Sequence, residues 1–484
     1  MKRPVVIASL TVLSTVLFGC TQTHRPVRPE VTMPDRFSTG STTAMKSDPR
    51  LHAWWRGFED PVIDRLMRQG MRENLSIEQA RQRLDIVRLK GILASSGYLP
   101  QLQATTSASR SSETANGNTQ LATSSGAGAA FSWTLDIFGG GRAALREAHE
   151  NSAAAMADVE LVRLAFLTDL TATYVDLRYN EEAIGISRRN LASFQQTLKL
   201  TQDMRETGIA SNLDVAQAQA LVDDARAKIP PIERDRQQAI NHLATLLGTT
   251  NSEIEKLVGG KSGQPKLALE AESGFPADLL RYRPDIRREE RLLAAAAARI
   301  DIARSRLYPA LSLSGSIDFA RLIASGVSGN ALSWAFGPSV LAPIFDGGRL
   351  RGEVDIQKAE TKVQYLRWKD TVFRAVEEVE NALVALNRGK AEASAHRRKV
   401  TSFTVARDLA RESYVGGTGL ILDVLEAERL LGEAKLDLAR SLRENALAGI
   451  RLQVALGSGA AVEIDGVSAS PAHPAPSPVQ NRAG

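Results

Sequence analysis

Apolar residues recur every seven positions along two long stretches of the chain. Leu170, Leu177, Ile184, Leu191 and Leu198 form one stripe, with Leu167, Tyr174 and Phe194 beside it. Tyr365, Val372, Val379 and Leu386 form the other, with Val376 and Leu383 between them. A strict heptad specifies helices that coil around partners with a left-handed supercoil. No proline falls between Gly141 and about Arg205, so this run predicts a helix of roughly 95 Å at 1.5 Å per residue. The core of a single globular domain rarely needs such length.

Before each long helix the period changes from seven to two. Leu102, Ala104, Thr106 and Ala108 share one parity, and Ala127, Ala129, Phe131, Trp133 and Leu135 share another. The second half repeats the pair with Leu311, Leu313, Ile317 and Phe319, then Leu332, Trp334 and Phe336. Alternation of this kind predicts four strands of about ten residues. A helix from about Pro61 to Ser96 leads into the first pair, with proline in its first turn. Each long helix stops at a glycine-containing tip, Glu206–Asn212 and Gly416–Gly419, where Ser211 or Asn212 can cap the returning helix. The returning helices run to Gly248 and Gly457, and Pro230-Pro231 should kink the first of them.

These elements occur twice. Leu213-Asp214-Val215 matches Leu422-Asp423-Val424, and Leu247-Gly248 matches Leu456-Gly457, both about 209 residues apart. That period is too long for a solenoid repeat and marks a duplicated half. The chain divides accordingly into residues 1–19 (lipoprotein signal peptide), 20–60 (lipidated tether), 61–248 (first repeat), 249–283 (connector), 284–457 (second repeat) and 458–484 (a disordered tail rich in Pro, Ala and Ser). Four strands cannot close a barrel. Three copies would supply twelve, so the strand count argues for a homotrimer.

Lys2 and Arg3 precede an apolar run from Val5 to Phe18 that is too short to span a bilayer. It ends in Leu17-Phe18-Gly19-Cys20, which resembles a bacterial lipobox and makes Cys20 the candidate lipidation site; an incidental thiol behind an ordinary signal peptide is the alternative. Thr21, in place of an aspartate, points by resemblance to the outer membrane. No later run is apolar enough for a transmembrane helix, so any span must be a β-barrel. Aromatic residues make up only 5% of the 484, which suits long helices packed in thin layers, and the formal charge of +5 is small for this length. Without a basic tract interleaved with aromatics, nucleic acid is not an expected partner. The six histidines are scattered, with no metal or nucleophile motif. Gly139-Gly140-Gly141 lacks the Lys-Ser/Thr of a phosphate loop and reads as a strand-to-helix turn. An enzyme is therefore not expected, nor a metal or a cofactor other than the covalent lipid.

Four segments resemble the outer-membrane factors of tripartite efflux pumps, the TolC-like family in its OprM/NodT-like lipoprotein branch. They are Trp133–Gly139, Pro343–Arg349, Arg283–Arg287 with Glu289 and Glu290, and Tyr414–Glu428. The resemblance covers about residues 50–458. It implies a mixed α+β membrane protein in which a trimeric twelve-stranded outer-membrane β-barrel continues into a twelve-helix periplasmic α-barrel. It also implies a periplasmic adaptor and an inner-membrane transporter of the RND type as partners, and toxic small molecules as cargo. A type I protein-secretion channel is the near alternative, which the lipobox disfavours. A periplasmic coiled-coil lipoprotein scaffold is the alternative from another class, which two hairpins with two strand pairs disfavour.

Asp423 and Glu426 lie three apart on one helix face, and threefold symmetry would gather them into carboxylate rings at a constriction. They match the family's acidic constriction, and Tyr414 matches its latch tyrosine. Leu420 and Leu422 would add an apolar constriction. Gly419 stands where some members carry a latch arginine. Solvated acids at a helix start are the plainer account of Asp423 and Glu426, and the same account is favoured for Asp214. The tips around Gly208, Asn212, Gly417 and Gly419 are the expected adaptor contacts. Cys20→Ser should abolish incorporation of an alkyne-tagged palmitate in growing cells; undiminished labelling would remove the lipobox assignment.

Overall fold

The computed structural model describes Phe37 and residues 49–115, 118–259, 263–265, 279–324 and 327–462. Cys20 and the chain beyond Val462 lie outside them. Short 3-10 turns at Pro49–Leu51 and Trp54–Phe58 precede helices α1 (Pro61–Glu73) and α2 (Leu75–Ser96). Strands β1 (Gln101–Ala115) and β2 (Asn118–Leu135) follow, then α3 (Gly140–Glu206), α4 (Asn212–Ala227), α5 (Ile229–Leu247) and α6 (Asn251–Val258). The second half holds α7 (Leu279–Tyr282), α8 (Pro284–Ser305), β3 (Ala310–Ala324), β4 (Val327–Leu341), α9 (Arg349–Val415) and α10 (Ile421–Ala455). Helices α3 and α9 are each 67 residues long. No helix among the described residues is long and apolar enough to cross a membrane.

The chain forms two compact units. The first takes in residues 83–156 and 288–370 and holds a four-stranded antiparallel sheet in the order β1-β2-β3-β4. The strands run 15 to 18 residues rather than the expected ten. Their added ends break the alternation: β1 closes on Ser109–Ala115, mostly Ser and Thr with Arg110 and Glu113, and β3 on Ala320–Ala324 with Leu322 and Ile323 consecutive. The register stacks Leu102, Phe131, Gly315 and Phe336 in one row, Ala104, Ala129, Ile317 and Trp334 in the next, and Thr106, Ala127, Phe319 and Leu332 in a third. Side chains alternate across a sheet, so these rows share one face. That face is apolar yet open to its surroundings: Trp334 is 76% exposed and Phe336 67%. The other face carries Gln103, Thr105, Ser132, Ser314, Ser316 and Ser333. From Leu311 to Phe319 the apolar band extends about 26 Å along the strand at ~3.3 Å per residue.

Within this unit α8 lies between two neighbours. Arg146–Asp301, Glu147–Arg299 and Glu150–Arg291 join it to α3 at 2.9, 2.7 and 3.1 Å. Thr361 Oγ1 donates to the Ala296 carbonyl at 3.2 Å, and Gln364 Nε2 to Glu289 at 2.6 Å, joining it to α9. Below the sheet, Phe138 stacks on Tyr308 with centroids 4.7 Å apart.

The second unit, residues 32–82, 157–287 and 371–484, is helical among its described residues apart from turns. Its main core joins Trp54, Trp55 and Phe58 to the heptad stripe of α3 (Leu167, Leu170, Tyr174, Leu177), to Ile240, Leu243 and Leu247 of α5, and to Leu447 and Ile450 of α10. Within it the Tyr174 hydroxyl donates to Asp60 and accepts from Arg178 Nε at 2.9 Å. Arg178 also bonds Glu181 at 2.7 Å and the Val258 carbonyl at 3.2 Å, so a guanidinium that is 1% exposed keeps its partners.

Two expectations need correction. The helix from Pro61 to Ser96 is broken at Asn74, whose backbone is extended. The Asn74 side chain accepts from Ile77 N at 3.0 Å, capping α2, and donates to the Leu246 carbonyl at 2.8 Å, which fixes the break against α5. The first returning helix is interrupted at Lys228, directly before Pro230-Pro231, where the missing proline N–H groups are expected to disturb it. The tail does not begin at residue 458: Ser458 and Ala460 are buried, the Ser458 carbonyl accepts from Trp54 Nε1 at 3.2 Å, and Ala461 N donates to the Arg50 carbonyl at 2.9 Å. The stretch before α1 and the end of the second repeat thus close one core. Trp54→Ala should destabilise this unit by about 3–5 kcal/mol, the usual cost of emptying a buried tryptophan site. Thermal unfolding followed by far-ultraviolet circular dichroism measures it, and an unchanged Tm would contradict the packing.

Candidate functional site

The two tips are built alike but capped differently. In the first, Gly208 takes the left-handed conformation (φ 79°) and Ile209 N and Ala210 N both donate to the Met204 carbonyl, which ends α3. Ser211 caps α4. Its Oγ accepts from Asp214 N at 3.2 Å while Asp214 accepts from Ser211 N at 2.7 Å, a reciprocal capping box. Asn212 is the first helical residue and accepts from Arg205 Nη1 at 3.5 Å. Asp214 is thus occupied by its own helix start.

In the second tip Gly417 (φ 75°) matches Gly208, and Thr418 N and Gly419 N donate to the Ser413 carbonyl. A Cβ on Gly419 would lie 3.0 Å from the Ser413 Cβ, so the approach is tight for any larger residue. Where the first tip has Ser211 the second has Leu420, which offers no side-chain cap. Asp423, the counterpart of Asp214, therefore has no capping partner. It is exposed and makes no side-chain hydrogen bond or ion pair among the described residues. Leu420 and Leu422 flank it, both largely exposed, as are Ile209 and Leu213 on the other tip.

Glu426 is held differently. Arg429 grips it with two bonds of 2.6 and 2.9 Å and reaches Glu433 at 2.7 Å. The hydrogen bond and charge of Arg429 hold the Glu426 carboxyl below the usual carboxylate range, so it stays ionised to lower pH but is neutralised locally. Asp423 is the acid left without a counter-charge. Sequence reading paired the two acids as equals and missed Arg429, although the spacing Glu426, Arg429, Glu433 is legible as helix-face ion pairing.

Tyr414 sits in neither loop. It is 7% exposed, in a small core with Ala218, Ile421, Val424 and Leu425 that joins both tips. Its hydroxyl is buried and has no hydrogen-bond partner among the described residues. Gly208, Asn212, Gly417 and Gly419 all lie at the ends of the two hairpins, beside this core.

The chain matches the family model described as outer membrane efflux protein over residues 66–249 and 275–458, one stretch in each half. It is 37% identical to Nodulation protein T of Rhizobium leguminosarum bv. viciae over 450 residues, 93% of this chain and 92% of that one. It is 30% identical to the pyoverdine export outer membrane protein OpmQ of Pseudomonas aeruginosa over 455 residues, covering 92% and 95% of the two chains. Among solved structures, the outer-membrane channel OprN superposes with a TM-score of 0.78 at 28% identity, over 90% of this chain and 99% of that one. The duplicated match, together with relatives aligned end to end, means that this chain belongs to the outer membrane efflux protein family.

Proposed function

We propose that three copies of this chain close a twelve-stranded barrel in the outer membrane, continued by a twelve-helix periplasmic tunnel. The assembly is the passive exit duct of a tripartite efflux pump for toxic small molecules. One observation carries this reading: the sheet has an exposed apolar face, a polar opposite face, and outer edges on β1 and β4 that no strand among the described residues pairs. In hydrocarbon an open edge leaves backbone groups unsatisfied, and only closure removes it.

The duplication supports the ring and indicates its contacts. Phe138 stacks on Tyr308, the residue before Pro309. Their counterparts are Phe345 and Leu99, the residue before Pro100. Phe345 is 93% exposed and Leu99 58%. Likewise α8 lies between α3 and α9, whereas its counterpart α2 leaves Ile86, Leu89 and Leu93 exposed, and α9 leaves Ile356, Val363 and Leu366 exposed. Each unmet surface fits its counterpart on a neighbouring copy.

The second tip is the gate of this duct. Symmetry would gather three uncompensated Asp423 carboxylates, edged by Leu420 and Leu422, with the Glu426–Arg429–Glu433 clusters behind them. The unpartnered Tyr414 hydroxyl supports a latch role, since a neighbour's acceptor would relieve a costly buried donor. The exposed apolar residues at the tips suit an adaptor protein, which would link the duct to an inner-membrane transporter. Lipid on Cys20 would anchor the protein in the outer membrane.

Single-channel recording in planar bilayers tests the reading. The parent should give a small conductance that Mg2+ blocks. Asp423→Asn alone should remove most of the block and raise the conductance, whereas Glu426→Gln should do less because Arg429 already neutralises that acid. Absence of any channel from folded, detergent-purified assemblies would sink the duct; equal effects of the two variants would relocate the gate.

A further inference from the structure

Glu428 is the least expected residue of α10. It is a carboxylate that is 4% exposed, in the turn that follows Asp423. Its two oxygens accept from Thr197 Oγ1 of α3 at 3.0 and 3.1 Å, and one also accepts from Ser193 Oγ at 3.0 Å. Among the described residues its partners are hydroxyls only. The adjacent Arg429 is engaged by Glu426 and Glu433.

Two neighbouring positions of this seam are also small or polar. One turn along α10, Gly432 lies so close to Asn190 of α3 that an added Cβ would sit 3.1 Å from the Asn190 Cγ. Thr201, fully buried, returns its hydroxyl to the Thr197 carbonyl at 2.9 Å. The duplicated half offers a control. Gln219 stands at the place of Glu428, and it is exposed and bonded to Asp223 of its own helix. The buried acid therefore belongs to one helix contact, not to the repeat as such.

A seam selected only for stability would be apolar, because a buried charge without a cation loses solvation that hydroxyls only partly replace. A polar group at a core position of packed helices instead fixes their register, since any slide leaves it unpaired. Glu428 lies on the same helix as Asp423, five residues away, so the register of α10 on α3 sets where the Asp423 carboxylate stands.

We propose that Glu428 is the positioning residue of the gate: shared between Ser193 and Thr197, it locks α10 against α3 in the closed register, and export requires this seam to slide. The proposal rests on the duct reading above and adds to it the contact that must break.

The test uses the whole protein in planar bilayers and in export-competent cells. Glu428→Gln keeps the shape and one acceptor oxygen but not the charge, and should raise the open fraction less than Glu428→Met does. Glu428→Met keeps the volume without the bonds, and should raise the open fraction roughly tenfold, the change expected from losing one hydrogen bond to a charged group. Thr197→Val should do the same, with an unchanged Tm in both variants. A second arm needs no loss of packing. The Asn190→Cys, Gly432→Cys pair is close enough for a disulfide, and its oxidised form should lose export that reductant restores. Parent-like conductance in both Glu428→Met and Thr197→Val, or normal export by the oxidised pair, would overturn the proposal. A parent that forms no channel would overturn the duct reading itself, and this proposal with it.

Discussion

A strand in contact with hydrocarbon must pair every backbone N–H and C=O with another strand, because no water is there to do so. In the proposed barrel that constraint governs the molecule. The sheet unit presents an apolar face, an opposing face carrying serine, threonine and glutamine, and two edges that no strand among the described residues pairs. Four strands enclose nothing alone. On the proposed ring, the exposed Phe345 and Ile344 and the exposed apolar stripes on α2 and α9 would be the halves of duplicated contacts that another copy completes.

Duplication also makes the functional asymmetry readable. The two tips share length, glycine placement and an acid three residues after the cap position. In the first, Ser211 and Asp214 cap each other and the acid is consumed locally. In the second, Leu420 replaces the cap and Asp423 is released. Gln219 against Glu428 shows the same divergence one helix turn further on. Both substitutions move polar capacity away from local helix stability, one toward an open surface and the other toward a seam between helices.

Much of this was legible from the pattern alone. The heptads located α3 and α9, because coiled packing leaves a strong periodic trace over many turns, and the change to alternation located all four strands. Strand ends escaped because polar runs such as Ser109–Thr114 and the consecutive Leu322 and Ile323 give no alternation. The break at Asn74 escaped because the helical pattern continues on both sides and only a tertiary bond to Leu246 holds the chain extended there. Ser458–Val462 has the composition of a loose tail, yet it is clamped by Trp54 and Arg163, more than 290 residues away in sequence. At the site, the spacing of Asp423 and Glu426 was plain. The burial of Tyr414 and Glu428 was not, since it depends on which faces of α9 and α10 meet α3 and α4.

The central claim is that copies of this chain complete one another's unmatched contacts in a closed ring of three. Cysteines placed at Leu99 and Phe345 test it most directly, because Cys20 is the only native cysteine and is proposed to carry lipid. A short bis-maleimide applied to the Leu99→Cys, Phe345→Cys protein in outer membranes should yield a three-chain species, with neither single variant forming it. Single chains only, or a ladder that runs past three, would contradict the closed ring.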